Sequence, residues 1–248
     1  MRSLLIAPAD EKRLAEALIS GADAIIVDLG HAAPTERAAA RAAAASFIKE
    51  TRGRGGGPAL IVRPNSLDSG ETDSDLDAVM AHAPDAILLP GSLGAASVQQ
   101  LSAKLAVREA DFALPDGGTR IIAVADTARS LFGMGSYRGS SARLTGIAWS
   151  AESLRADIGA ESARDRLGDY LAPYRLARDL TLLAAASAGV AAIDGVFADL
   201  RNPEGLRAEA LAARRDGFTG KIAIDPAQAA IINEIFPSRP TPAERGPS

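Results

Sequence analysis

The sequence contains no cysteine and only two histidines, His31 and His82, among 248 residues. The absence of cysteine excludes disulfides, thiolate nucleophiles and thiolate metal sites, and it agrees with a reducing cytoplasm. Two histidines cannot build a multi-histidine zinc site. The composition therefore excludes the commonest thiolate and imidazole centres.

A strong excess of one charge and long apolar segments are also missing. The 27 basic and 31 acidic residues are scattered along the chain and give a net charge of -4, so we expect no nucleic-acid partner. No segment approaches the ~20 apolar residues that a membrane helix requires. The N-terminal apolar run before Pro8 is too short for a signal peptide. We therefore expect a cytoplasmic protein with no membrane partner.

Short, almost continuously apolar runs recur along the chain, and Ala- and Leu-rich segments of helical period follow them. Parallel strands covered on both faces have this character, and eight such units favour a closed barrel. The predicted strands are residues 3–7, 24–29, 59–63, 86–90, 120–126, 144–150, 191–197 and 221–225. A barrel of this kind takes roughly 250 residues. The sequence therefore predicts a single (β/α)8 TIM-barrel domain over residues 1–236.

Three of the predicted helices are clear from composition and from the residues at their ends. Two of them, residues 34–50 and 167–188, are rich in Ala, Leu and Arg. The third begins after Asn202, a capping residue, with Pro203 in its first turn, and stops at Gly217. The tail, residues 237–248, contains four prolines and no apolar period, so we expect it to be poorly ordered.

Polar side chains follow the predicted strands at the end of the barrel where active sites lie. They are Asp28, Arg63, Asn65, Asp126, Thr127, Ser150, Glu152, Ser153, Asp199 and Asp225. Together they predict an acidic, oxygen-rich cup with one guanidinium, which suits a hard divalent cation and a carboxylate-bearing substrate. Solvation or helix capping is the other interpretation for Asp28 and Asp225. Arg63 favours carboxylate binding, because it ends an apolar strand and its planar fork matches a carboxylate.

Several other residues permit a structural interpretation. His31 is either an acid or base of the cup or a surface residue, whereas His82 is expected to be structural. Trp149 is expected to pack in the barrel wall. The pair Asp194-Gly195 indicates a bend or a close backbone approach rather than a ligand.

The sequence resembles the citrate lyase beta-subunit-like branch of the HpcH/HpaI aldolase family over nearly the whole chain to about Asn233. The number and order of the matching phrases make the resemblance specific. They include Arg2-Ser3-Leu4-Leu5, Asp28-Leu29, Val62-Arg63 with Asn65, Thr127-Ala128-Arg129, Ala151-Glu152, Ala192-Ile193-Asp194-Gly195-Val196, Pro203-Glu204-Gly205-Leu206-Arg207, Lys221-Ile222 and Pro226-Ala227-Gln228.

The resemblance implies a magnesium-dependent barrel that makes or breaks a carbon-carbon bond beside a carboxylate. The substrate implied is an acyl-coenzyme A or a small keto or hydroxy acid, and the divalent cation stabilises the enolate that forms. Arg63 matches the family's carboxylate-binding arginine, and Asn65 is assigned to the same substrate site. The resemblance also implies a homo-oligomer, a trimer or a hexamer.

The departures from the family pattern are concentrated in the cup. Asp126 stands where the family usually has Glu, and Ser153 stands where it has the second metal carboxylate, so the predicted ligand pair for Mg²⁺ is weakened or lost. Glu152 and Asp225 are candidate compensating ligands. Gly30-His31 replaces an acidic pair.

Three hypotheses follow from these residues. The first is a divergent carbon-carbon lyase of aldolase or Claisen type, in which Arg63 holds a substrate carboxylate and a weak metal site around Asp126 stabilises the enolate. Its catalytic residues are Arg63, Asp28 and His31. The second is a non-catalytic relative that binds a carboxylate or an acyl-coenzyme A. The third is a barrel hydrolase or isomerase with His31 or Asp225 as its base.

Overall fold

A computed structural model of the chain describes residues 1–237, in which eight parallel strands form a closed barrel in sequence order. The strands are β1 (Ser3–Pro8), β2 (Ala24–Asp28), β3 (Ala59–Arg63), β4 (Ala86–Leu89), β5 (Arg120–Ala125), β6 (Leu144–Trp149), β7 (Ala191–Asp194) and β8 (Gly220–Ala223). Pairing of β8 with β1 closes the barrel. The predicted TIM-barrel fold is confirmed.

Helices connect the strands on the outside of the barrel. They are α1 (Glu11–Leu18), α2 (Arg37–Gly53), α3 (Thr72–Val79), α4 (Ala95–Asp111), α5 (Ala128–Gly133), α6 (Ala151–Ile158), α7 (Ala172–Ala188), α8 (Pro203–Asp216) and α9 (Pro226–Ile235). Within residues 1–237, no helix has both the length and the apolar character needed to cross a membrane.

The apolar side chains form two layers because successive strand residues face opposite sides of the sheet. One layer fills the barrel and takes residues from every strand, including Ile26, Ile61, Val124 and Ala148. The other lies between the strands and the helices. Two positions beyond these interior residues stand Asp28, Arg63, Asp126 and Ser150. The same alternation that directs apolar side chains into the barrel therefore directs these polar side chains to the carboxyl end of the barrel interior.

Several element ends differ from the sequence-based expectation. The helix predicted from residue 34 begins at Arg37, and the helix predicted from residue 167 begins at Ala172. The second shift arises because Arg164 and Tyr170 form an antiparallel bridge in the preceding loop. Strand β8 ends at Ala223, since Asp225 caps α9. Residues 238–248 of the predicted poorly ordered tail lie outside the described residues.

Candidate active site

The carboxyl ends of the strands enclose a cavity of about 320 Å³, which we call the cup. Its lining residues are Ile6, Pro8, Asp28, His31, Arg63, Leu88, Val124, Asp126, Trp149, Ser150, Ser153, Val196, Ile222 and Ile224. The structure thus brings together six of the polar residues singled out in the sequence: Asp28, His31, Arg63, Asp126, Ser150 and Ser153. A second cavity of about 550 Å³, between α1 and α2, shares Pro8, Asp28 and His31 with the cup.

Arg63 and Asp28 form the charged pair of the cup. Their strands pair in register, and Arg63 Nη1 donates to Asp28 Oδ2 at 2.9 Å. Asp28 Oδ1 also accepts the Gly30 amide at 3.0 Å, which holds this buried carboxylate in place. Within residues 1–237 the guanidinium of Arg63 makes no other hydrogen bond, so its remaining N–H groups can bind a ligand carboxylate.

Asp126 is the second carboxylate of the cup and is buried directly after β5. Its Oδ1 accepts the Gly91 amide at 3.0 Å. Burial raises the pKa of Asp126 to about 6, although the Gly91 N–H and the charge of Arg63 act in the opposite direction. The neutral form of this carboxyl group therefore persists to a higher pH than that of a solvent-exposed aspartate, and it predominates below about pH 6.

We expect the contribution of Asp126 to the stability of the fold to fall as the pH rises through about 6, because burial raises the pKa of this carboxyl group above its usual value of 3.8. The native state binds the proton more tightly than the unfolded state, so the stabilising contribution is complete below about pH 4. Asp126→Asn removes this loss and should raise the unfolding free energy at pH 8 by on the order of 2–3 kcal/mol. Urea unfolding at pH 4.5 and pH 8 measures the difference. Ser153→Ala, which removes no carboxylate, should keep the wild-type pH dependence; an Asp126→Asn variant with that same dependence contradicts the assignment.

Ser150 and Ser153 supply hydroxyl groups beside Asp126 in the cup lining. Ser150 caps α6: its Oγ accepts the Ser153 amide at 3.2 Å and donates to Ser153 Oγ at 3.0 Å. This arrangement places two neutral hydroxyl groups in the cup lining.

The cup residues do not fit a Mg²⁺ ion held by the protein alone. Within residues 1–237 no group of three or more His, Cys, Asp or Glu side chains is placed to hold a metal ion. Asp28 is committed to Arg63, so Asp126 is the one lining carboxylate without a cation partner, and it is strongly desolvated. Mg²⁺ prefers octahedral oxygen coordination that includes charged carboxylates. The predicted ligand pair of Asp126 and Ser153 lines the same cavity, but it supplies a single carboxylate.

Five further predicted residues lie outside the cup lining: Asn65, Thr127, Glu152, Asp199 and Asp225. Glu152 is exposed and pairs with Arg155 at 2.9 Å on α6. Asp225 caps α9 by accepting the Ala227 amide at 2.9 Å. Asn65 donates its side-chain amide and its backbone N–H to Asp75. These contacts give Asn65, Glu152 and Asp225 structural partners, and neither Glu152 nor Asp225 reaches the cup as a compensating ligand.

His31 lies at the rim, in the loop after β2, where it is exposed and lines both cavities. This position gives it access to the cup and to solvent. A side chain that takes a proton from a ligand and passes it to water must contact both the ligand and the solvent.

A buried ionic cluster behind the cup was not predicted. Lys221 on β8 and Asp194 on β7 are paired in register, are both buried, and form an ion pair of 3.0 Å. Burial opposes ionisation of Asp194, but Lys221 and Arg178 outweigh it and hold the pKa of this carboxyl below its usual range. The signal was present in the sequence, because two charged residues in apolar strands must find partners. The predicted close approach at Gly195 is present: a Cβ there would lie 3.2 Å from the Trp149 carbonyl oxygen.

The family model described as HpcH/HpaI aldolase/citrate lyase matches residues 2–226. The chain belongs to this family. The citrate lyase subunit beta of Leuconostoc mesenteroides subsp. cremoris is 31% identical over 237 residues, which cover 95% of this chain and 76% of the relative. A (3S)-malyl-CoA thioesterase of Cereibacter sphaeroides is 34% identical over 245 residues, covering 98% and 79%.

Solved structures of this aldolase and citrate lyase family share the fold. The citrate lyase beta subunit of M. tuberculosis, complexed with oxaloacetate and magnesium, has a TM-score of 0.80 and 30% sequence identity, and the match covers 94% of this chain and 96% of that chain. Another structure from M. tuberculosis contains magnesium, acetoacetate and coenzyme A, with a TM-score of 0.78 and 30% identity. It covers 98% of this chain and 82% of that chain. Both of these neighbouring structures thus contain magnesium.

Proposed function

We propose that the chain is a carbon-carbon lyase of aldolase or Claisen type that acts on a small keto or hydroxy acid or its acyl-coenzyme A ester. The observation that carries the proposal is the Arg63 guanidinium, which is anchored by Asp28 and directs its remaining donors into a cup with largely apolar lower walls. The named relatives, which are a citrate lyase subunit and a malyl-CoA thioesterase, support a carboxylate-bearing substrate.

The reaction requires three functions from the cup. A base removes the proton of the hydroxyl group, the carbon-carbon bond breaks, and its electrons pass to the carbon beside the second carbonyl as an enolate, which then takes up a proton. Arg63 binds the carboxylate of the carbonyl-containing product, and Asp28 orients Arg63. In this proposal His31 moves the proton, and the Ser153 hydroxyl, which accepts a hydrogen bond from the Ser150 hydroxyl, donates to the enolate oxygen. No step depends on a resident metal.

A non-catalytic carboxylate-binding role is the alternative, and Ser153 favours it. Replacement of the family's second carboxylate by a hydroxyl removes charge from the reaction centre while Arg63 remains in place. Binding of a carboxylate does not require its turnover.

Incubation with (3S)-malyl-CoA distinguishes these functions. A lyase yields acetyl-coenzyme A and glyoxylate, which proton NMR detects, and His31→Gln should lower this rate by about 10²- to 10⁴-fold while substrate binding persists. Release of malate and free coenzyme A would instead show thioester hydrolysis and contradict the lyase proposal. Binding of the thioester and of oxaloacetate with no product of either kind would establish the non-catalytic alternative.

A further inference from the structure

Trp149 belongs to a closed ring of side-chain contacts that no step of the proposed reaction uses. Trp149 lines the cup at the end of β6 and is the one tryptophan of the chain. The ring, which we call the Trp149 ring, consists of Trp149, Asp194, Lys221, Glu209, Arg164 and Tyr170.

The first arm of the ring runs from Lys221 through Asp194 to the indole. Lys221 is fully buried, and its Nζ donates to Asp194 Oδ2 at 3.0 Å and to the Gly195 carbonyl oxygen at 2.7 Å. Asp194 Oδ1 accepts the indole Nε1–H of Trp149 at 2.9 Å. Arg178 Nε donates to the same Oδ1 at 3.0 Å, so the Lys221 ammonium group and Arg178 together fix the acceptor that orients the indole.

The second arm runs from Lys221 through Glu209 and the loop before α7. Lys221 Nζ donates to Glu209 Oε1 at 2.8 Å, and Arg164 Nη2 donates to Glu209 Oε2 at 2.7 Å. The Arg164 guanidinium lies 3.6 Å from the ring centre of Tyr170. Tyr170 in turn packs edge-on against Trp149, with ring centres 5.1 Å apart. Both arms thus start at one ammonium group and end on one indole.

A buried ion pair contributes little net stability compared with apolar packing of the same volume, but its geometry is demanding. Lys221, Asp194 and Glu209 leave little positional freedom, because each charge must keep its partners to offset desolvation. These residues hold Trp149, and the next residue, Ser150, also lines the cup. The buried charges are therefore suited to fix the position of the cup residues Trp149 and Ser150.

We propose that Lys221 is a positioning residue that holds Trp149, and with it the β6 wall of the cup, in the geometry that receives a ligand. It does so from outside the cup, through Asp194 on one side and through the loop containing Arg164 and Tyr170 on the other. The effect on ligand binding rests on the proposed carboxylate site, whereas the effect on the indole does not.

Lys221→Met tests the proposal, because methionine keeps the apolar stem and removes the charge. The readouts are the fluorescence emission of Trp149, its quenching by acrylamide and the single indole N–H signal in a ¹⁵N-labelled sample, together with the Kd for oxaloacetate. The matched control is Arg143→Met. Arg143 is also buried and pairs with Glu109 at 2.7 Å, but it lies next to the start of β6, at the opposite end of the barrel.

We expect Lys221→Met to shift the emission to longer wavelength, to increase quenching, to move the indole signal and to raise the Kd by roughly tenfold or more. Arg143→Met should lower thermal stability while the indole signals and the Kd stay at wild-type values. Unchanged indole signals in folded Lys221→Met, or equal changes in Arg143→Met, overturn the proposal.

Arg164→Met removes the contacts of the second arm with Glu209 and with the Tyr170 ring. It provides the same test if Lys221→Met does not fold. Unaltered quenching of Trp149 in folded Arg164→Met would overturn the proposal. If the wild-type protein binds no oxaloacetate while the indole signals respond to Lys221→Met, the proposed function fails and the positioning role stands.

Discussion

Replacing Arg63 with methionine should weaken oxaloacetate binding by about 3 kcal/mol, or roughly 100-fold in Kd. The substitution removes the cation of the cup and leaves the buried carboxylate of Asp28 without its 2.9 Å partner. That carboxylate then repels the ligand carboxylate in a poorly solvated cavity. Isothermal titration calorimetry of the two proteins at pH 7.5 measures the difference.

Arg41→Met is the matched control for this prediction. Arg41 on α2 also pairs with a buried aspartate, Asp75, at 2.8 Å, but it does not line the cup. The control should therefore lose stability and keep its affinity for oxaloacetate. Equal losses of affinity in both variants would show that the Arg63 effect is a general consequence of breaking an ion pair. Arg63→Lys should recover only part of the affinity, because an ammonium group cannot form the two parallel hydrogen bonds of a guanidinium.

Replacing Ser153 with aspartate should create a measurable Mg²⁺ site. The new carboxylate enters the cup lining beside Asp126, so the cup would contain two carboxylates without a cation partner. Two charged oxygen ligands satisfy Mg²⁺ better than one, and we expect the Kd for Mg²⁺ to fall on the order of tenfold or more. Calorimetry with Mg²⁺ and Mn²⁺, in the presence of oxaloacetate, measures the gain.

Ser153→Asn provides the control, because asparagine has the shape of aspartate without its charge. It should bind Mg²⁺ no better than the wild-type protein. A wild-type protein that already binds Mg²⁺ as tightly as Ser153→Asp would contradict our conclusion that the donor set of this chain does not fit a resident cation.

The barrel could be predicted from the sequence because its signal is distributed over the whole chain. Eight apolar runs, each followed by a segment of helical period, define the strands, and an error in the end of any one run does not change their number. The ends themselves are set by individual contacts that the pattern does not contain. The start of α7 at Ala172, for example, depends on the bridge between Arg164 and Tyr170, which are polar and aromatic residues with no helical or strand period.

The cup could be predicted in part, because strand-end position determines which residues are near one another. Asp28, Arg63 and Asp126 follow interior residues by two positions, and all three line the cavity. Whether the other predicted side chains enter the cup depends on their hydrogen-bond and ion-pair partners, which the strand pattern does not contain. Asn65 contacts Asp75 and Glu152 contacts Arg155, so neither depends on the cup for a polar partner.

The most direct test of the account is a calorimetric titration of the wild-type protein with oxaloacetate in the presence of EDTA, repeated with added Mg²⁺. We predict that one oxaloacetate binds per chain in EDTA, that Mg²⁺ changes the affinity by less than about tenfold, and that Arg63→Met weakens binding roughly 100-fold. Binding that requires Mg²⁺ would contradict the account, because the cation, and not Arg63 alone, would then hold the ligand. An oxaloacetate affinity of Arg63→Met equal to that of the wild-type protein would contradict it as well.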